Sequence, residues 1–213
     1  MSQPISLKAA ERKVFLTAIN DGLTDIFVGC VFLMFAVVPL LSTRLGDFWG
    51  SMVFLPFWGL VYLAIWLLRK FVVLPRVGQV QFGQARKARL GKLTFVMLGI
   101  NVVALILGIL AAIFFSRVPG QLISLTFGLL LLAGFSLAAY SLDFNRLYVY
   151  GLFAGFAPPL GEWLYNSRLA SHHGFPITFG AIAAGMILVG LILFLRLLRT
   201  YPLTLDGIPT EEA

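Results

Sequence analysis

From Thr94 to Phe115 the chain runs for 22 residues without one charged side chain. Wound as an α-helix, that stretch reaches about 33 Å, enough to cross a hydrocarbon core of about 30 Å. Five further apolar runs are separated from it and from one another by polar breaks. Lipid offers no hydrogen bonds, so a spanning segment must satisfy its backbone internally, as a helix does. The sequence therefore predicts an all-α membrane protein with six transmembrane helices, over residues 23–41, 49–68, 94–115, 122–140, 146–165 and 177–198. Composition excludes the soluble alternative. The chain is 60% hydrophobic and 12% charged, with a mean hydropathy of +0.95, against roughly 25% charge in soluble domains.

The first run is the shortest. The 16 residues Ile26–Leu41 would rise only about 24 Å, so the helix is expected to begin near Asn20–Leu23, leaving Asp21 and Asp25 at the membrane edge. Pro56 inside the second run predicts a kink. Residues 1–20 read as an amphipathic interfacial segment, with Leu7, Ala10, Val14 and Ala18 at helical spacing and Lys8, Glu11 and Arg12 opposite. A cleaved secretory signal is the rival, but no small-x-small cleavage site stands out. Residues 199–213 read as a mobile tail.

The longest polar interruption is Arg69–Lys92. It holds seven of the 16 basic residues and no acid: Arg69, Lys70, Arg76, Arg86, Lys87, Arg89 and Lys92. Its side of the membrane collects 13 Lys and Arg against three on the other. By the positive-inside rule that side is cytoplasmic, and six spans then place both termini there. Val72-Val73-Leu74, the turn-like Pro75–Gly78 and the alternation of Val80 and Phe82 with Gln79 and Gln81 predict a short hairpin or extended flap. The net charge of +7 is clustered beside apolar runs, which points to anionic lipid headgroups or a membrane protein partner and not to nucleic acid. Topology and anchoring alone would also account for such a loop.

Polar residues inside or beside the spans form a second set of candidates. Asp21 and Asp25 are four apart, on one helix face. They are expected to cap the first helix or to pair with Arg76 or Arg146. Asp143 and Arg146 are three apart and suit a pair at the inner end of the fifth helix. Asn101 in the third span can bond a neighbouring helix. Glu162 follows Pro158-Pro159 by about one turn. Those prolines free carbonyls near Ala154 and Gly155, so Glu162 is either a proton or cation site or an interfacial acid paired with Arg168, Arg117 or Arg44. The GxxxG of Gly151–Gly155 and the small residues Gly180, Ala181, Ala184 and Gly185 suit close helix contacts, within one bundle or in a homo-oligomer. No metal site is expected, because His172-His173 supplies only two adjacent ligands where zinc takes three or four. Cys30 cannot form an intrachain disulfide.

No P-loop, HExxH, dinucleotide glycine fingerprint, CxxC or nucleophile elbow is present. No catalytic residue and no cofactor is expected. The leading expectation is a non-enzymatic accessory, assembly or sensing protein. A small transporter or channel with a pathway near Pro158-Pro159 and Glu162 is the first alternative. A lipid-modifying enzyme using Asp21, Asp25 and Arg76 is the second.

The order Leu74-Pro75-Arg76-Val77-Gly78-Gln79-Val80-Gln81-Phe82, followed by Arg86-Lys87, resembles the loop of an uncharacterised prokaryotic six-span membrane family with a Pro-Arg-x-Gly-x-Val loop after its second helix. Asp21–Asp25, Arg146–Gly151 and the stretch from Phe194-Leu195-Arg196 to Tyr201-Pro202 are similar to further patterns of that family. Leu74 stands where the family has an aromatic residue, and Leu147 where it has Phe. The resemblance implies a multi-pass protein of the prokaryotic plasma membrane. It implies no activity.

Overall fold

The structure is a computed structural model that describes residues 21–46, 48, 52–77, 91, 98–99, 102, 106 and 119–202. The described residues are helical, without a strand among them. Helix α1 is Leu23–Leu45 and α2 is Phe54–Leu68. A π-helical turn, Arg69–Val73, carries α2 directly into the short α3, Leu74–Val77. Helix α4 is Gly120–Leu142, α5 is Arg146–Asn166 and α6 is Phe175–Thr200, the last preceded by a 3-10 turn at His172–Gly174. Among the described residues, four helical stretches are long and apolar enough to cross a membrane: Leu23–Leu45, Pro56–Arg76, Gly120–Leu142 and His172–Thr200. The third predicted span lies almost wholly outside the described residues. Helix α5 has the length to span, but Arg146, Glu162 and two prolines lower its hydropathy.

One expectation is corrected here. The segment after Leu68 does not begin as a hairpin or flap. It is helix as far as Val77, because nothing in Arg69–Leu74 terminates one, and the Leu74 N–H reaches back to the Arg69 carbonyl to form the π turn; the rest of the expected flap, residues 78–82, lies outside the described residues. Pro56 falls in the first turn of α2, which starts at Phe54, and the turn residue Val53 separates that helix from the helical Met52, as a proline three residues on would favour.

Helices in lipid associate by close packing, not by escape from water. Small residues supply that packing. Helix α1 runs antiparallel to α6, with Gly29 against Ala183 and Ile187 and Gly180 against Ala36. Gly22, in a left-handed conformation (φ 77°), lies on the backbone of Gly190 and Phe194. Helices α4 and α5 pack alike, Gly128 meeting Gly155 and Gly151 meeting Phe135. The GxxxG of α5 is thus used inside one chain. A phenylalanine cluster joins the two pairs. Phe32 of α1 stacks on Phe179 of α6 at 5.7 Å between ring centres and lies 5.6 Å from Phe135 of α4. Phe32 and Phe179 are fully buried. The outside is apolar as well: Leu60 is 66% exposed and Ile192 64%. Water would penalise that surface; hydrocarbon does not.

Candidate functional site

The polar residues of the described bundle gather at the two ends of its helices. At the start of α1, Gly22 takes the positive φ that turns the chain, which brings the Asp21 carboxylate over the first helical N–H groups. Its Oδ1 accepts from the Leu23 N–H at 2.9 Å and the Thr24 N–H at 3.4 Å. A carboxylate here satisfies orphan donors and meets the positive end of the helix dipole. Its Oδ2 accepts from Arg69 Nε at 3.1 Å, and Arg69 Nη2 donates to Thr24 Oγ1 at 2.8 Å. Arg69 opens the π turn, so this pair fastens the end of α2 to the start of α1. The expected partners of Asp21 were Arg76 and Arg146, and Arg69 takes their place. The continued helix keeps Arg69 within reach, while Arg76 turns back to donate to the Val72 carbonyl at 2.7 Å. Burial pushes the Asp21 carboxyl above its usual 3.8, with the Arg69 charge offsetting only part of the effect.

One turn further on, Asp25 is fully buried. Its Oδ2 accepts from Arg146 Nη1 at 3.0 Å and its Oδ1 from the Tyr150 hydroxyl at 2.7 Å. Arg146 and Tyr150 are four apart and share one face of α5. The Arg146 guanidinium also lies 4.7 Å from the centre of the Phe144 ring. One of the two partners expected for Asp25 is therefore the one found. Asp143 ends α4 in a left-handed conformation (φ 54°), its N–H bonding the Ala139 carbonyl. Lys70 stands 4.9 Å over the Trp66 ring and 5.5 Å over that of Phe71, an arrangement suited to a membrane interface.

At the opposite end, Glu162 is buried and its Oε2 lies 2.8 Å from Nδ1 of His173. The His173 ring packs 4.5 Å from that of Tyr165. Of the expected partners, Arg117 lies outside the described residues; among the described residues the partner is His173 and not Arg168 or Arg44, and His173 takes a left-handed backbone (φ 54°) in the loop before α6. Gly120 leaves room for the carboxylate, since a Cβ there would sit 2.5 Å from Oε1. Pro158 is fully buried. The Gly155 carbonyl, which Pro159 deprives of its helical donor, lies against Gly128.

The residues proposed for lipid chemistry are thus not brought together. Asp21 and Asp25 are both sealed and each holds a different arginine, with Arg76 bonded elsewhere. Among the described residues no three His, Cys, Asp or Glu side chains are grouped to hold a metal ion. Arg86, Lys87, Arg89, Lys92 and Asn101 lie outside the described residues. Tyr150 and Thr24 were not among the sequence candidates and His173 was weighed only as a metal ligand, though the Arg146-to-Tyr150 spacing was a usable signal. No protein-family model matches the chain, and no curated protein or solved structure matches it either.

Proposed function

We propose that the chain is a six-span protein of a prokaryotic plasma membrane, with both termini and the basic segment on the cytoplasmic face. It acts as a non-enzymatic accessory, assembly or sensing protein. Its working surface is Arg69–Lys92, which holds anionic lipid headgroups or a partner protein. The observation that carries this reading is the state of the two acids at that end. Asp21 and Asp25 are buried and committed to Arg69 and Arg146. They are structural fasteners, unavailable as acid or base. The remaining cations of the acid-free segment have no carboxylate within their own stretch of chain, and each Lys or Arg near an anionic leaflet contributes about 1 kcal/mol of attraction.

The test uses purified protein in nanodiscs of mixed phosphatidylglycerol and phosphatidylcholine, comparing the wild type with Arg76→Gln/Arg86→Gln/Lys87→Gln/Arg89→Gln. Selective retention of phosphatidylglycerol should fall, or one co-purifying protein should be lost, in a variant that still folds. Equal retention would reduce the segment to a topology anchor.

A further inference from the structure

We infer that the outer face between α5 and α6 is a second, separate lipid site, one that holds an acyl chain of an anionic phospholipid whose phosphate sits at Arg196. The two helices leave a groove of about 430 Å³, within the usual range for small-molecule sites of roughly 300–1,000 Å³. Its α5 wall is Val149, Tyr150 and Phe153, and its α6 wall includes Ala181, Gly185 and Val189. The groove exists because α6 carries small residues there. A Cβ placed on Gly185 would meet nothing within 4 Å, whereas one on Gly190 or Gly180 would touch α1. Two faces of α6 are therefore distinguished: one glycine face is filled by α1, and the other is left open among the described residues.

The lining selects for hydrocarbon. Every wall residue is apolar except Tyr150, and its hydroxyl already donates to Asp25. A polar solute would find no partner in the groove. Its charge is placed at one end. Successive α-helical residues turn by about 100°, so Arg196 falls within about 20° of Val189 and about 10 Å beyond it along α6. Arg196 is exposed. Helical side chains lean toward the helix N-terminus, which inclines Arg196 back toward the groove. A hydrocarbon slot with an exposed arginine about two turns beyond it on the same helix face matches a phospholipid in that leaflet, with its chain in the slot and its phosphate on the arginine.

The site is independent of the Arg69–Lys92 surface, so the two can fail separately. Protein in nanodiscs of phosphatidylglycerol and phosphatidylcholine is released into mild detergent, and the retained lipids are counted by native mass spectrometry. Gly185→Leu should retain one phosphatidylglycerol fewer per chain than wild type. Arg196→Gln should lower its occupancy about fivefold, the effect of one interfacial charge. Gly134→Leu, at another glycine whose added Cβ would meet nothing within 4 Å, should leave the count unchanged. Identical counts in wild type, Gly185→Leu and Arg196→Gln would overturn the assignment. So would a wild-type dimer that Gly185→Leu converts to monomer without changing the lipid count, since a second copy would then fill the groove. Loss of phosphatidylglycerol only in the Arg76/Arg86/Lys87/Arg89 variant would leave that surface standing and remove the groove.

Discussion

Asp25 and Arg146 stand 121 positions apart in the chain, yet their side chains meet at 3.0 Å. With Tyr150 they tie the start of α1 to the start of α5. Removing one partner of a buried pair leaves an uncompensated charge and typically costs about 3 kcal/mol or more. Arg146→Met should therefore unfold earlier in detergent than wild type, and Asp25→Leu/Arg146→Met should recover part of the loss. A single variant as stable as wild type would show that the pair fastens nothing.

Tyr150→Phe removes one donor to the same carboxylate and leaves the ring in place. Hydrogen bonds to charged groups are worth about 1.5–3 kcal/mol, so this variant should be destabilised by less than Arg146→Met. Thermal or denaturant unfolding in micelles gives the ranking, and a larger loss for Tyr150→Phe would reverse the assigned roles.

Gly128 and Gly134 lie on the same helix but differ in what faces them. A methyl group on Gly128 strikes the Gly155 carbonyl, and one on Gly134 meets open space. Gly128→Ala should destabilise by about 1–3 kcal/mol through overpacking against backbone that cannot yield. Gly134→Ala should be neutral or stabilising by up to about 1 kcal/mol from helix propensity. Equal effects would mean that α4 and α5 do not cross at Gly128.

Asp21 makes the stability depend on pH in a stated direction. Its folded pKa is raised above 3.8, mainly by burial. The folded state then holds the proton more tightly than the unfolded one, so this contribution to stability is fully present below pH 3.8 and is lost as pH rises through the folded value. The stability difference between wild type and Asp21→Asn, followed as pH rises from 3.8, should move against wild type. Movement the other way would mean that Arg69 outweighs burial.

The six-span arrangement is open to labelling because Cys30 is the single cysteine. In a Cys30→Ala background, new cysteines at Arg86 and Pro209 should react with an impermeant maleimide only after the cytoplasmic face is opened, and one at Arg168 should react from outside. Opposite accessibility at residues 86 and 209 would rule out an even number of spans after the basic segment.

Legibility in the sequence followed range. Apolar runs announced the helices, and the spacing of Asp21 and Asp25 announced a shared face, because both signals are local. Arg146 as a partner of Asp25 was legible because few cations lie near that depth. Arg69 was not: the switch from Leu68 to Arg69-Lys70 looks like the end of a span, and nothing local reveals that a π turn carries the helix on to Val77. The GxxxG in α5 showed that a helix would come close but not which one, since any small-faced neighbour satisfies it. His173 was discounted as a ligand, and its bond to Glu162 depends on a left-handed backbone that histidine rarely adopts.

The account rests on a division of labour: the buried acids fasten helices, and the basic segment binds. The most direct measurement is phosphatidylglycerol retention in nanodiscs for three proteins, namely wild type, Asp25→Asn/Arg146→Gln and Arg76→Gln/Arg86→Gln/Lys87→Gln/Arg89→Gln. The first two should retain the lipid alike, the second with a lower unfolding temperature, and the third should retain less of it, keeping only the share held at the α5–α6 groove, at an unchanged unfolding temperature. Retention that follows the Asp25–Arg146 pair and ignores the basic segment would contradict the account.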